Sequence, residues 1–474
     1  MKNERKATIS ENGQFASGRR AMLRSYDIPP ITQNGLFMNL RRYWDLPLFV
    51  ELILLAITAP VLYFPSRFSS GELAGAIGIL AMGWVWRKFT LGVWFRRTPA
   101  DWPIFFLFLV MLPISVWAAP GPLRDQYSIP RAMILVWNFF LFWTVVSHAS
   151  RRRELFHLFV AGFGGIGVGI ALAALFGTEW MDKFPMIGPL LAKLPKPLLG
   201  MFAGAEEGFS PNQLAGTLLY ILPLFIALAA YRFMHHRHER QTWLPASLAV
   251  VVMGTVLLLS QSRGALLGLS IGLGCIALVN WRWGRWLLLV GAVSVISGLT
   301  VISLDSLSHS LESAESLERV TGSLTLAARI EIWDRALYGI QDFALTGVGL
   351  GTFRKIVHVL YPFFILTPDF DIAHAHNFFL QMALDFGIPG LIALFSLYLV
   401  ASTTIVKLWS EGETAWSTGL LGVMISQTIY SMADAVTMGS KVNLLFWWLF
   451  ALVFVMVQRK SDTYPTKWTP KRLN

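Results

Sequence analysis

The sequence predicts an all-α polytopic membrane protein of about twelve transmembrane helices, with a large helical loop on the outer side. Three observations predict it. Mean hydropathy is +0.55, and 55% of residues are hydrophobic against 14% charged, whereas a soluble chain carries about a quarter charged residues. Apolar runs of about 17–25 residues, long enough to cross a bilayer, recur along almost the whole chain. The 19 Trp and 34 Phe suit wide lipid-facing surfaces with aromatic belts at the headgroups.

In chain order, residues 1–45 form a polar cytoplasmic tail with Arg41 and Arg42 at the membrane edge. The first apolar run begins near Leu46, too late for a cleavable signal peptide. Nine spans occupy 46–304, near 46–64, 72–86, 102–119, 131–148, 155–176, 212–231, 242–260, 264–280 and 286–304. The second is short. Loop 177–211, between the fifth and sixth, contains Phe184-Pro185-Met186-Ile187, apolar enough to lie in the interface. Residues 305–376 form the large outer loop, whose length marks it as functional. Within it, Ala328, Ile332, Trp333 and Ala336 share one side at helical spacing. Three spans fill 377–457, near 378–406, 414–433 and 442–457, and the tenth breaks at Gly387-Ile388-Pro389-Gly390. Residues 458–474 are a cytoplasmic tail.

Charge sets the orientation. With both termini cytoplasmic, the short inner loops Arg87–Arg97, Ala149–Glu154, Arg232–Arg240, Trp281–Arg285 and Lys407–Glu413 are much denser in Lys and Arg than the short outer loops. That is the positive-inside bias, and the flipped arrangement reverses it. The net charge of +11 therefore reflects the cytoplasmic flanks of membrane spans, and no nucleic-acid partner is implied. A single cysteine, Cys275, in an apolar run excludes a disulfide framework and a Cys-based metal site.

The ionisable residues gather at the outer rim. Arg263 follows Ser260-Gln261-Ser262 in a tight turn between two spans. It either snorkels to the headgroups or binds an anion bidentately, helped by Ser260, Ser262 and Gly264. Arg335 has Glu331 four residues before it as an ion-pair partner. Arg329 has no acid three or four positions away, and so is the better candidate for an external ligand. The run Gly347-Val348-Gly349-Leu350-Gly351 lacks the context of a dinucleotide site and reads as a flexible or close-packed turn.

His374 and His376 follow Asp369 and Asp371 and precede Asn377. Three readings fit: a metal site of His and Asp ligands, a structural role with Asn377 as the N-cap of the helix from Phe378, or His376 as a general base. An imidazole with an ordinary pKa near 6.5 suits taking a proton from a hydroxyl. Asn212 opens the sixth span as an N-cap candidate, and Asp434 and Lys441 bracket the last outer turn, where they can pair with each other.

Taken together, Ser-Gln-Ser-Arg263-Gly, Arg329-Ile-Glu-Ile-Trp-Asp followed by Gly-Val-Gly-Leu-Gly-Thr-Phe, and His374-Ala-His376-Asn377-Phe-Phe-Leu-Gln leading to Asp-Phe-Gly-Ile-Pro-Gly resemble the O-antigen ligase and O-antigen polymerase family of bacterial inner-membrane proteins. Ser-Pro-Asn212-Gln fits the same pattern, which covers roughly 70–457. The resemblance implies a glycosyltransferase of the inner membrane with its site facing the periplasm. Its donor is a glycan on undecaprenyl diphosphate, and its acceptor is a hydroxyl of the lipid A core in a ligase or of another lipid-linked glycan in a polymerase. By position, Arg263 and Arg329 hold the diphosphate and His376 activates the acceptor. His374, Asn377, Asn212, Arg335 and Asp371 are supporting candidates. No cofactor is expected, since ligases of the family need no metal.

Such a leaving group gains negative charge as the glycosidic bond breaks, so cations beside it stabilise the transition state, each worth about 2–4 kcal/mol. A base opposite the leaving group gives inversion. Retention needs a carboxylate nucleophile, for which Asp369 and Asp371 are the candidates. Two lipid-linked substrates call for a cavity open sideways to the membrane. A secondary transporter is the rival class, but transporters place polar groups at mid-membrane in matching halves. Here the span centres are almost free of charge.

Overall fold

In a computed structural model that describes residues 45–178, 209–280, 326–366 and 370–463, the described residues form helices and connecting turns with no β-strand. The helices are α1 (Leu46–Tyr63), α2 (Ser70–Leu91), α3 (Asp101–Ala118), α4 (Ile129–Ala149), α5 (Arg153–Gly177), α6 (Pro211–Leu218), α7 (Leu222–His235), α8 (Arg240–Leu259), α9 (Arg263–Asn280), α10 (Leu326–Asp342), α11 (Phe353–Leu360), α12 (Phe378–Ser410), α13 (Thr414–Ser431) and α14 (Leu444–Thr463). Among the described residues, six helices are long and apolar enough to cross a membrane, or seven if α6 and α7 form one bent span. Trp243–Leu259 and Arg263–Leu278 are apolar but shorter. The protein is an all-α polytopic membrane protein. The expected ninth span at 286–304, nearly all of loop 177–211 and the first part of loop 305–376 lie outside the described residues.

The predicted sixth span is not straight. α6 and α7 meet at a 42° bend. Pro223 stands at the start of α7 and has no N–H to continue the ladder. The chain tightens ahead of it, with Tyr220 N–H on Thr217 O (3.3 Å) and Ile221 N–H on Leu218 O (3.1 Å).

A sharper break falls in α12 at Gly387 (φ 68°, ψ 178°), inside the Gly-Ile-Pro-Gly stretch where the sequence predicts one. Pro389 cannot donate to the carbonyl of Asp385 four residues back, and the Ser115 hydroxyl donates to that oxygen instead. The Ile388 N–H goes to Ala344 O (2.7 Å), and Leu384 O accepts from Val348 N–H (2.7 Å). A Cβ on Gly347 would lie 2.4 Å from Leu384 O. The glycine run 347–351 is thus a close-packed turn seated on the break, which settles one of its two sequence readings.

The α9–α13 contact sets the register of the site. Gly264, Gly268 and Gly272 are four apart on α9, and Gly422, Ser426 and Tyr430 are four apart on α13. A Cβ on Gly268 would come 2.5 Å from Ser426 O, one on Gly272 2.1 Å from Ser426 Oγ, and one on Gly264 3.8 Å from the Tyr430 ring. Small residues allow this approach, as they do where membrane helices pack closely. The start of α9, with Arg263, is thereby held beside Tyr430.

Far from that region, α1, α2 and α4 share a buried ionic cluster. Glu51 accepts from Arg87 Nε (2.9 Å) and Thr144 Oγ1 (2.9 Å) and faces His148 Nε2 at 3.0 Å. Next to it, Asp45 pairs with Arg151 (3.0 Å) and Arg152. α4 therefore runs from Arg131 in its first turn to this basic cluster at its far end.

Candidate functional site

Five chain segments meet at one end of the bundle: the entry to α10, the loop 370–377, the end of α13 and the starts of α6 and α9. α10 buries Ala328, Ile332 and Ala336 at 0–1% exposure, the apolar face that its spacing predicts. This turns Arg329 toward α13, where Nη1 donates to Ala433 O at 2.5 Å. The next residue, Asp434, faces both histidines. Its Oδ1 lies 3.5 Å from His376 Nδ1 and 3.7 Å from His374 Nε2, and the two imidazole centroids are 4.4 Å apart. Arg329 and His376, 47 residues apart in sequence, are thus brought to consecutive residues of one loop.

The histidine loop is held at Ala375, His376 and Asn377. Ala375 N–H donates to Gln381 Oε1 (2.8 Å), and His376 N–H donates to His374 Nδ1 (3.1 Å). Asn377 caps α12, its Oδ1 accepting from Phe379 N–H (3.0 Å) and Leu380 N–H (3.1 Å), while its Nδ2 donates to Met432 O (3.1 Å). These bonds hold His376 at φ 47°, a left-handed conformation that costs a non-glycine residue about 1–3 kcal/mol. Among the described residues, the other non-glycine at positive φ is Gln261 (φ 51°), in the turn before Arg263. Strained backbone collects at functional sites because the surroundings must enforce it.

Protonation follows from the bonding. His374 Nδ1 accepts a backbone N–H, so it carries no proton, and Nε2–H points at Asp434. Burial first, then His376, Arg131 and Arg329, push the His374 pKa down to about 3 against the pull of Asp434. Burial raises Asp434, but the facing His376 and His374 rings and the Ala435 N–H outweigh it and hold the carboxyl at about 2. A histidine kept neutral in the fold binds its proton more readily when unfolded. Its contribution is therefore complete above pH 6.5 and is lost as pH falls toward 3. Wild-type protein in detergent should lose up to about 1.4 kcal/mol per pH unit below pH 6.5 through this group. His374→Gln should flatten that slope in melts run from pH 7 to 4; an unchanged slope would mean that His374 charges freely in the fold.

The other candidates have different surroundings. The Arg263 side chain is exposed at the start of α9. Ser260 is fully buried, and its hydroxyl donates to Leu257 O (2.6 Å), so it is turned into the end of α8 and away from an external anion. Ser210, and not Asn212, is the N-cap of α6: Pro211 has the fixed φ of a first helical residue, which puts Asn212 inside the first turn. The Asn212 carbonyl accepts from Tyr430 OH (2.8 Å), which links α6 to the site end of α13. Arg335 lies away from the histidines, on Asp334 (2.7 Å), Glu331 (3.8 Å) and Pro362 O (2.9 Å). Asp371 turns to Arg354 Nε (2.6 Å) and Lys355 (3.7 Å), exposed on the surface. Asp369 is outside the described residues. Asp434 is the residue that sequence reasoning undervalued. The expected pairing with Lys441 is not its main role: it faces the histidines, while the Lys441 ammonium lies 4.3 Å from the Phe64 ring centre.

His374, His376 and Asp434 each offer one ligand atom within 4.8 Å of the others, a spacing that can also hold a metal ion. The acid in that set is Asp434, contributed by a segment distant in sequence, rather than Asp369 or Asp371.

Residues 248–395 match the family model described as O-antigen ligase. That segment is similar to the O-antigen ligase family. No curated protein matches it. Arg263, Arg329 and His376 all lie inside the matched segment, and Asn212 and Asp434 lie outside it. The match supports glycan transfer of the ligase or polymerase type, with lipid-linked glycans as the general class of substrate.

Proposed function

We propose that this protein transfers a glycan from undecaprenyl diphosphate to a hydroxyl of the lipid A core, on the periplasmic face of the bacterial inner membrane. The observation that carries the reading is His376 Nδ1 facing Asp434 Oδ1 at 3.5 Å while Arg329 docks on the preceding residue. At 3.5 Å from the carboxylate, His376 Nδ1 has no hydrogen-bond partner among the described residues; when its N–H closes on Asp434, Nε2 has its lone pair available for the acceptor hydroxyl. In the transfer, that hydroxyl loses its proton to Nε2 as its oxygen bonds to C1 of the sugar. The C1–O bond to phosphate breaks, and its electron pair leaves with the diphosphate, which gains one negative charge. Asp434 stabilises the imidazolium that forms, and Arg329 and Arg263 stabilise the leaving group. A base on one face and a leaving group on the other give inversion. Asp371, tied to Arg354 and Lys355, is badly placed to be the nucleophile that retention would need.

The sidedness rests on the loop charges. α4 carries Arg151, Arg152 and Arg153 just past its far end, the basic flank expected in the cytoplasm. The site lies at the opposite end of that helix, and no metal takes part in this reading.

The test uses purified protein in lipid nanodiscs with an undecaprenyl-diphosphate-linked glycan and two acceptors in parallel. Transfer to lipid A–core is the expected result. Transfer only to a second lipid-linked glycan would make the protein a polymerase, and transfer to neither would overturn the proposal. The 4.8 Å grouping of His374, His376 and Asp434 favours one second reading, a divalent ion that polarises the acceptor. Chelator inhibition reversed by added Zn²⁺ or Mg²⁺ would select it.

A further inference from the structure

A third guanidinium stands next to this site. Arg131, in the first turn of α4, is half-buried, and it contributes with Arg329 to depressing His374. Its side chain lies across Gly351, where a Cβ would come 2.3 Å from Nη1, and its backbone packs on Gly439, where a Cβ would come 2.6 Å from Arg131 Cβ. Both glycines have φ 73°. Two turns from distant parts of the chain thus leave room for this one side chain.

The guanidinium is not consumed by the packing. Nη1 is shielded from solvent and has no hydrogen-bond partner among the described residues, and the same holds for Arg329 Nε. The acid that interacts with it, Asp385, makes no hydrogen bond to it among the described residues. Asp385 is 1% exposed, and its Oδ1 takes Gly351 N–H (2.8 Å) and Gln381 Nε2 (2.8 Å), while Oδ2 is also without a partner. A shielded N–H without an acceptor is costly, and a guanidinium in that state is matched to an anion with oxygens to spare.

We infer that Arg131 is a third cation of the anion-binding site, contacting a phosphate oxygen of the substrate beside the histidine loop. The inference rests on the proposed diphosphate-linked donor, and it takes that diphosphate as the source of the phosphate. Arg131 lies outside the residues matched by the family model.

The probe is geranylgeranyl diphosphate, with its affinity for the full chain in nanodiscs measured by equilibrium binding. Arg131→Gln should weaken binding about 10–100-fold, the loss expected for one charge-assisted contact. Arg131→Lys should recover part of the loss. Geranylgeranyl monophosphate should bind more weakly and show a smaller effect of R131Q. Asp385→Asn separates the inference from a structural ion pair and serves also if Arg131→Gln fails to fold. If Arg131 serves an external anion, removing the neighbouring negative charge leaves binding equal or tighter. If Arg131 exists to balance Asp385, then D385N weakens binding as much as R131Q does, and the inference is overturned. R131Q within twofold of wild type while Arg329→Gln is weakened would reject Arg131 and leave the proposed function standing. A wild-type chain that does not bind the diphosphate would reject both.

Discussion

His376→Gly should reduce glycan transfer by about 10²–10⁴-fold, the contribution of a positioned general base, with little change in donor binding. Glycine is the informative substitution because His376 sits at φ 47°, a conformation that glycine adopts freely and alanine does not. His376→Ala would combine loss of the imidazole with backbone strain, and a dead variant would then be ambiguous. The loop should survive the glycine change, since Gln381 holds the residue before it and Asn377 caps the helix after it. Free imidazole added at tens of millimolar should restore part of the H376G rate, because the base is then supplied in solution to an intact pocket. A structural role for the ring predicts no rescue. Near-normal turnover of H376G without imidazole would remove His376 from the mechanism.

The parts of this molecule that were legible in the sequence are those governed by local rules. The apolar face of α10, the cap at Asn377 and the break at Gly387–Pro389 each follow from spacing or from backbone chemistry within a few residues. The grouping of Arg329 with His376 was stated as an expectation only through a family resemblance, because no local pattern connects α10 to the loop 370–377. Asp434 was legible as an acid in an outer turn and nothing more. Its partner is set by where α13 ends, and that depends on the packing of α13 against α9. A signal for that packing was present in Gly264, Gly268 and Gly272, four apart, against Gly422, Ser426 and Tyr430, four apart, but it is a pairwise pattern that no single segment displays. Arg131 was concealed for a related reason. In the sequence it is one basic residue at the edge of an apolar run, and the two glycines that make room for it lie more than 200 residues away. Asn212 shows the limit of cap rules: a Pro at 211 moved the cap back to Ser210.

Asp434→Asn should lower the transfer rate by about 10³–10⁴-fold while leaving the affinity for a polyprenyl diphosphate within about threefold of wild type. Asparagine is nearly the same size, but Asp434 Oδ1 both accepts the Ala435 N–H (2.8 Å) and faces His376 Nδ1 (3.5 Å), so the amide must turn, at the expense of the Ala435 bond, to present its NH₂ to the ring. What changes is the group facing His376 Nδ1. A carboxylate accepts a proton there and keeps the lone pair on Nε2; an amide can present its NH₂ and reverse the arrangement, leaving Nε2 protonated and unable to act as a base. The negative charge that stabilises the imidazolium is lost as well. Asp434→Ala removes the charge without imposing the wrong tautomer, so it should be less damaging than D434N even though it is the larger structural deletion. That inverted order is what distinguishes a proton-directing carboxylate from a metal ligand or a packing residue, for both of which alanine would be at least as harmful as asparagine. The two variants compared by kcat at saturating donor decide it: D434A as slow as or slower than D434N would mean that Asp434 does not set the protonation of His376.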